Sequence, residues 1–425
     1  MSNIGSSGRA SGGELEEKID LTGETDAKLE QSSALATSGQ LREALAMLAA
    51  LEKRCRVGND TSNLVRVCEA SLQYCKDAND NELLITTLQT LSTRRSQKTQ
   101  AVRALVHKCL PWCIVDQFTP LSCAKEEVPA RDKLVEALRD ISDGKIFLEK
   151  ERALLTRALA TIKEGEGDVA GAADVLQEVH VETYGSLSKR EKVEFILEQM
   201  RLTLGKKDYV RAAIVAGKVS KKNLQEENME EYKVKYYTLM AEYHRHDKNP
   251  FSLAKDYHAI YSTPHIQKDD EKWKEALQAT VLFLALSPYS NEQQDMLNRV
   301  NDDGKLEKLP SAQSTIRLLL KKEIIAYPLT NQQELESLPS FLEGGDDLTK
   351  FWHDMFHVRI IQHNVRVASL YYKRIHGARL AQLLGLEPAR LEREISGMVS
   401  EGSIYAKIDR PKDIVRFLAP KNPEA

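Results

Sequence analysis

The chain has 425 residues, of which 42% are hydrophobic and 29% are charged, and its formal net charge at pH 7 is −3. This length exceeds what one hydrophobic core usually organises, so two domains or an array of repeats are expected. The near balance of charge excludes a whole-chain field toward nucleic acid or an anionic membrane, and the longest apolar run, residues 279–286, is far shorter than the roughly 20 residues of a spanning helix.

Residues 1–25 are predicted to form a disordered tail. Residues 1–13 are rich in Ser and Gly, and residues 14–30 are largely acidic. Such a segment buries too little apolar surface to offset the entropy lost on ordering. No apolar core of a signal peptide opens the chain.

Residues 26–250 are predicted to form a solenoid of helical hairpins, similar to tetratricopeptide repeats. Apolar residues recur at helical spacing from Leu41 onward, and residues 167–173 align with residues 207–213, forty positions later. Ala254 follows Ala213 by a further forty-one positions. A period of this size indicates stacked hairpins, none of which is stable alone.

The alanines of this repeat, Ala213 among them, are interpreted as sites where two helices approach closely. Larger neighbours, among them Ile214 and Tyr257, are expected to fill the space between repeats. The tyrosines of residues 232–243 recur at helical spacing, and we interpret them as core residues.

The remaining chain, residues 251–420, is predicted to be a second module. Its expected elements are a helix over residues 273–286, a polar loop over residues 301–310, a helix over residues 316–325 and one long helix over residues 351–375.

Residues 376–418 are predicted to form a winged helix. A helix over residues 378–384 ends at Gly385, which tolerates left-handed backbone, and a second helix begins at Pro388. Residues 403–408 then switch to period two, and residues 414–417 return as the partner strand, giving a small β-hairpin.

The strand at residues 403–408 is the candidate partner-binding site. Tyr405 and Lys407 alternate with the apolar side chains on the other face, and an exposed edge strand can be extended by a strand of another protein. The candidate partner-binding residues are Ile404, Tyr405, Lys407, Ile408, Ile414 and Phe417.

The second helix of the winged segment argues against groove reading in DNA. Residues 387–401 carry Arg390 and Arg393 against four glutamates. A net acidic helix is repelled by phosphates, whose neutralisation supplies most nucleic-acid affinity. We therefore favour a packing module and keep a nucleic-acid-binding protein as an alternative.

The sequence predicts no catalytic residue, cofactor or metal site. His244 and His246 resemble the start of a metal-dependent deubiquitinase motif, but Ala254 and Tyr257 stand where that motif requires Ser and Asp. We interpret the histidine pair as an exposed helix end. His353 and a second histidine four positions later lack the adjacent glutamate of a zinc protease.

The six cysteines, all within residues 55–123, are expected to be reduced thiols. His107, Cys109, Cys113 and Cys123 cluster in sequence as four candidate zinc ligands. Their spacing is not that of zinc knuckles, so we interpret the cysteines as small buried hydrophobes.

A helical-hairpin array that runs into a terminal winged helix resembles the PCI family, found in scaffold subunits of the proteasome lid, the signalosome and the initiation-factor-three complex. The match to lid subunits extends from about residue 25 to 420 and is carried by residues 149–153, 208–212, 357–364, 380–386 and 402–413. The resemblance implies a mostly α fold: a solenoid ending in a winged-helix PCI module.

The resemblance also implies a function. It is that of a non-catalytic scaffold subunit of the 26S proteasome regulatory-particle lid, which supports assembly and positions the deubiquitinase in ATP-dependent degradation of ubiquitylated proteins. The implied partners are other lid PCI subunits and the deubiquitinase, with the core particle and the ATPase ring as further candidates, and no specific nucleic acid or membrane.

The implied location is the cytoplasm and nucleus. A PCI subunit of the signalosome is the alternative. Lid subunits of this family continue into a C-terminal bundle helix, whereas here residues 421–425 are expected to be a short tail.

Overall fold

The computed structural model describes residues 20–115, 120–122 and 127–418. These residues form twenty-one α-helices, a few short 3₁₀ turns and three short β-strands, which confirms the predicted mostly α class. Within these ranges, no helix is long and apolar enough to cross a bilayer. Residues 1–19 of the predicted tail and the predicted tail 421–425 lie outside the described residues, while residues 22–25 are already helical.

The chain divides into two compact units, the first ending at Lys206 and the second beginning at Lys207. The division predicted from the sequence, after residue 250, separates a repeat array from a PCI module and stays a prediction. The helices of the first unit are α1 (Thr22–Thr37), α2 (Leu41–Val57), α3 (Thr61–Asp77), α4 (Asn81–Thr93), α5 (Thr99–Cys109), α6 (Val128–Ser142), α7 (Glu149–Gly165), α8 (Val169–Gln177) and α9 (Lys189–Gly205).

The second unit contains the remaining helices and all three strands. Its elements are α10 (Tyr209–Gly217), α11 (Glu230–His246), α12 (Pro250–Tyr261), α13 (Pro264–Gln267), α14 (Asp270–Leu286), α15 (Asn291–Asn301), α16 (Pro310–Leu320), α17 (Gln332–Glu336), α18 (Pro339–Leu342), α19 (Asp346–Tyr371), β1 (Arg374–His376), α20 (Gly377–Leu384), α21 (Pro388–Ser400), β2 (Ala406–Asp409) and β3 (Ile414–Phe417).

The repeat seen in the sequence corresponds to a repeated helix start. Asp168, Asp208 and Asn249 each accept a hydrogen bond on the side chain from the backbone N–H three residues later, at 2.8, 3.1 and 3.1 Å. This side-chain cap satisfies one of the free N–H groups at the start of α8, α10 and α12.

The residue before each of these caps has left-handed backbone. The φ values are 88° at Gly167, 64° at Lys207 and 54° at Lys248. The same pairing precedes α3, where Asn59 with φ 59° is followed by the capping Asp60. A left-handed residue reverses the chain and the next residue starts the following helix, so two adjacent residues specify the turn.

The predicted register of the buried face in α10 is wrong by one position. Ala213 is half-buried and Ile214 is 63% exposed, whereas Ala212 is fully buried. Once the cap fixes the start of α10 at Asp208, the buried stripe of the helix consists of Ala212, Val215 and Ala216, and Val219 just beyond the helix is also buried.

The core of the second unit surrounds α14. Eleven of the 17 residues of α14 are buried, and Val281, Phe283 and Leu286 have no exposed surface. The helix packs against α12, α16 and α19. The long apolar run of the sequence is therefore a helix that is covered on all sides. Tyr232 and Tyr236 of α11 are also buried, which confirms their interpretation as core residues.

Three predicted boundaries in the second unit need correction. The long helix predicted over residues 351–375 is α19 and ends at Tyr371, because residues 374–376 form a strand. The helix predicted over residues 316–325 is α16, which begins at Pro310 and ends at Leu320. The predicted polar loop before it contains a 3₁₀ turn over residues 304–308.

Candidate partner interface

The last segment of the chain folds as the predicted winged helix. Gly385 ends α20 with left-handed backbone at φ 66°, and Pro388 occupies the first turn of α21. The two helices and the sheet share one apolar core with the end of α19. That core includes Ile361, Val365, Leu380, Leu391, Ile395, Met398 and Val415. Leu383 and Val399, whose helical spacing from Leu380 and Ile395 predicts a buried face, are instead exposed by 36% and 38%.

The sheet has three strands in the order β1-β3-β2, so the predicted hairpin has a third member. β1 pairs antiparallel with β3 through Ile375 opposite Val415. Ile375 is buried between exposed Arg374 and His376, which is the alternation of a strand. A run of three residues is too short for this alternation to be recognised from the sequence alone.

Successive residues of β3 direct their backbone hydrogen bonds alternately toward β2 and toward β1. The Leu418 N–H donates to the Tyr405 carbonyl at 2.8 Å, and the Phe417 N–H donates to the Lys373 carbonyl at 3.1 Å. Because antiparallel pairs alternate along a strand, Lys407 and Asp409 also direct their backbone groups toward β3.

The free edge of β2 is therefore formed by Ala406 and Ile408. Their N–H and C=O groups point away from β3, and β2 is an outer strand of the sheet. An edge with unpaired donors and acceptors is a template for a strand of another protein. The backbone of these two residues, and not that of Tyr405, provides the pairing groups.

The structure separates the six candidate residues into two groups. Ile404 and Phe417 are only 6% and 9% exposed and belong to the winged-helix core, where they support the sheet. Tyr405 is 47% exposed, Lys407 is exposed, and the remaining candidates, Ile408 and Ile414, are half-buried. The part that these residues play in partner binding stays a prediction.

Two arginines at or near α21 contact side chains of the second unit. Arg410 forms an ion pair with Glu392 at 2.5 Å, and a guanidinium nitrogen of Arg390 lies 3.2 Å from Nδ1 of His357. Burial raises the pKa of Glu394 despite the nearby arginines. Arg390 of α21 is thus close to a side chain of the same unit, and the helix keeps its acidic balance.

The histidines of α11 point to different partners. Nδ1 of His244 lies 2.6 Å from a carboxylate oxygen of Asp256, which is buried across the hairpin on α12. Burial raises the pKa of Asp256, while the contact with His244 opposes that rise. The His246 ring stacks on Tyr209 with a centroid separation of 3.4 Å. The interpretation of both histidines as an exposed helix end is therefore wrong for His244, which is half-buried.

The other histidines and cysteines considered as metal ligands also contact different partners. The His357 ring stacks on Tyr327 at 4.0 Å, and burial is the main reason that its pKa is lowered. His107 contacts Glu151 at 2.8 Å, whereas Cys113 is fully buried and burial raises its pKa to about 12. Cys123 lies outside the described residues. Among residues 20–115, 120–122 and 127–418, no three His, Cys, Asp or Glu side chains are grouped to hold a metal ion.

Comparison with protein families gives two matches. Residues 43–269 match the family described as PSMD12/CSN4, N-terminal, and residues 343–418 match the PCI domain. The first match covers more than half of the chain. The second spans α19 and the winged helix, which contain the sheet edge described above.

Curated relatives match over almost the whole chain. The 26S proteasome non-ATPase regulatory subunit 12 of Dictyostelium discoideum is 37% identical over 407 residues, which are 95% of this chain and 88% of that protein. Homolog A of the same subunit from Arabidopsis thaliana is 36% identical, with 91% and 90% covered. A 26S proteasome regulatory subunit of Saccharomyces cerevisiae is 35% identical, with 89% and 84% covered.

Proposed function

The chain belongs to the family of the 26S proteasome non-ATPase regulatory subunit 12, and from this premise we propose that it is a non-catalytic scaffold subunit of the regulatory-particle lid. Relatives with that name cover nearly the full chain at more than a third identity. The sheet edge is the observation that supports a scaffold role most directly. Backbone pairing at Ala406 and Ile408 would join this winged helix to a strand of a neighbouring subunit.

The same premise supports a role in positioning the lid deubiquitinase during ATP-dependent degradation of ubiquitylated proteins. The chain itself carries Ala254 and Tyr257 where a metal-dependent deubiquitinase needs its Ser and Asp, and His244 is engaged with Asp256. In this proposal the winged helix and the repeats hold neighbours in place, and the isopeptide chemistry belongs to another subunit. The proposed location is the cytoplasm and nucleus.

Co-purification tests the proposal. The tagged full-length chain is purified from its own cells, and the co-eluting proteins are identified by mass spectrometry. We expect the other PCI subunits of the proteasome lid together with the lid deubiquitinase. Signalosome subunits in their place would favour the second candidate function, that of a PCI subunit of the signalosome. Elution with neither complex would contradict both functions.

An activity assay tests the non-catalytic part. The pure chain is incubated with ubiquitin chains in the presence and absence of a metal chelator, and we expect no cleavage. Cleavage that the chelator abolishes, and that is lost in His244→Ala, would contradict this part of the proposal. The co-purification result would still stand in that case.

A further inference from the structure

A groove of about 550 Å³ lies at the start of β2 in the second unit. One wall is formed by the end of α16 and the two lysines after it, and the other by the last turns of α19. Ser403, Ile404, Tyr405 and Leu418 close the groove on the side of the sheet. Tyr405 thus lines this groove and directly precedes β2.

The groove concentrates exposed apolar surface. Tyr289, Leu370, Tyr405 and Leu418 all line it, and their side chains are exposed by 43%, 61%, 47% and 47%. Isolated exposed hydrophobic residues are common on protein surfaces, but several around one concave site indicate a docking surface. Leu319 and Leu320, which are half-buried, extend the apolar wall.

The charges around this apolar surface have one sign. Lys321 and Lys322 are exposed on the rim, and the Arg366 guanidinium lies 4.2 Å from the ring centre of Tyr289. No Asp or Glu lines the groove, and within the described ranges none of these three cations forms an ion pair. Burial lowers the pKa of Arg366 to about 10, so that its guanidinium is still charged at neutral pH.

We propose that this groove binds an acidic segment of a neighbouring subunit, one that places an aliphatic or aromatic side chain against Leu370 and Tyr405 and carboxylates beside Lys321, Lys322 and Arg366. The inference rests on the proposed function, because it names the chemistry of a partner that binds next to the same sheet. Two observations support this occupant. The three cations form no ion pair within the described ranges and attract negative charge, and Tyr405 of the groove directly precedes β2, where a partner strand would pair.

The chain's own residues 419–425 are a poorer occupant. They follow Leu418 directly but contain one lysine and one glutamate, so that their side chains supply no net negative charge. A second copy of the chain would need an acidic apolar segment at its own surface. Both occupants are distinguished from a partner subunit in the experiment below.

Zero-length cross-linking identifies the occupant. The purified complex that contains the wild-type chain is treated with a carbodiimide, which joins lysine amines to carboxylates in direct contact, and the cross-linked peptides are identified by mass spectrometry. We expect Lys321 and Lys322 to be joined to Asp or Glu of another subunit. Cross-links only to Glu424, only to a second copy of this chain, or to no carboxylate would overturn the proposal.

Charge reversal tests the groove independently. The double variant Lys321→Glu/Lys322→Glu is compared with Lys221→Glu/Lys222→Glu, a matched exposed pair of adjacent lysines elsewhere in the same unit. Each protein is titrated against the remaining lid subunits at several salt concentrations. We expect about tenfold weaker binding and a smaller salt dependence for the groove variant alone, because rim charges act through screened attraction.

The apolar part is tested with Leu370→Ser, whose side chain is 61% exposed in the unbound chain. We expect weaker binding with an unchanged salt dependence and an unchanged melting temperature. If both groove variants bind like wild type, the groove proposal fails while the scaffold function stands. If the wild-type chain itself does not bind lid subunits, the proposed function fails.

Discussion

A proline placed on either of two adjacent residues of β2 distinguishes the partner-facing backbone from the internal ladder. The N–H of Ala406 points to the free edge, whereas the N–H of Lys407 points to Arg416 on β3. Proline removes a backbone donor and is tolerated on an edge strand where that donor faces solvent. Ala406→Pro is therefore expected to keep the fold, and Lys407→Pro to weaken it.

The magnitudes follow from the two hydrogen-bonding environments. Lys407→Pro deletes a ladder bond and leaves the opposing carbonyl unpaired, which we expect to lower the free energy of unfolding by about 1–3 kcal/mol. Ala406→Pro loses only a solvated donor in the free chain. In the complex it leaves a carbonyl of the partner strand without a donor, and a loss of about 1.4 kcal/mol weakens binding about tenfold.

The assays are urea unfolding of the isolated chain and its affinity for the remaining lid subunits. Lys407→Ala controls for the loss of the lysine side chain. Equal destabilisation by the two prolines would show that the backbone alternation in β2 is wrong. Wild-type affinity for a folded Ala406→Pro variant would show that the partner does not pair with this edge.

Two further predictions concern packing and pH. Ala212→Leu should overpack a fully buried site and lower the free energy of unfolding by about 1–3 kcal/mol. Ala213→Leu, at a half-buried site, should lower it by less than about 1 kcal/mol. Equal melting temperatures of the two variants would contradict the corrected register. Burial acts to raise the pKa of Glu191, but hydrogen bonds from Lys150 and Ser188 outweigh it and lower the pKa from 4.5 to about 2. The carboxylate therefore stabilises the fold above about pH 4.5, and this contribution is lost as the pH falls toward 2. Glu191→Gln should show a smaller loss of stability than wild type over that window in urea unfolding, and parallel pH profiles would refute the assignment.

The parts of the fold that were predictable from the sequence are those with a local signal. Gly385 and Pro388 mark the end of one helix and the start of the next. The alternation around Tyr405 indicates a strand, although the strand predicted over residues 403–408 is β2 and covers Ala406–Asp409. In the repeat array, the period was visible because the capping residues Asp168 and Asp208 recur with it. Composition and spacing carry such information without any knowledge of tertiary contacts.

Other features depend on residues that are distant in sequence. The contact between His244 and Asp256 forms only because α11 and α12 pack together, and the spacing of the metal-site motif falls on Tyr257, one residue after Asp256. The groove draws on Tyr289, Lys321 and Arg366 together with residues near Tyr405. The histidine and the aspartate lie on different helices, and the residues of the groove lie far apart in the sequence. No local sequence pattern therefore indicates either the pair or the groove.

The left-handed residue followed by an Asp or Asn cap also bears on how the array forms during synthesis. Such turns are closed by contacts between residues three to five positions apart, as between Asn249 and Ser252 or between Asn249 and His244. A hairpin can therefore reverse direction as soon as its own residues leave the ribosome, before any later repeat exists. Local contacts of this kind favour fast folding. The apolar face of a helix such as α12 is then buried when the next helix packs against it.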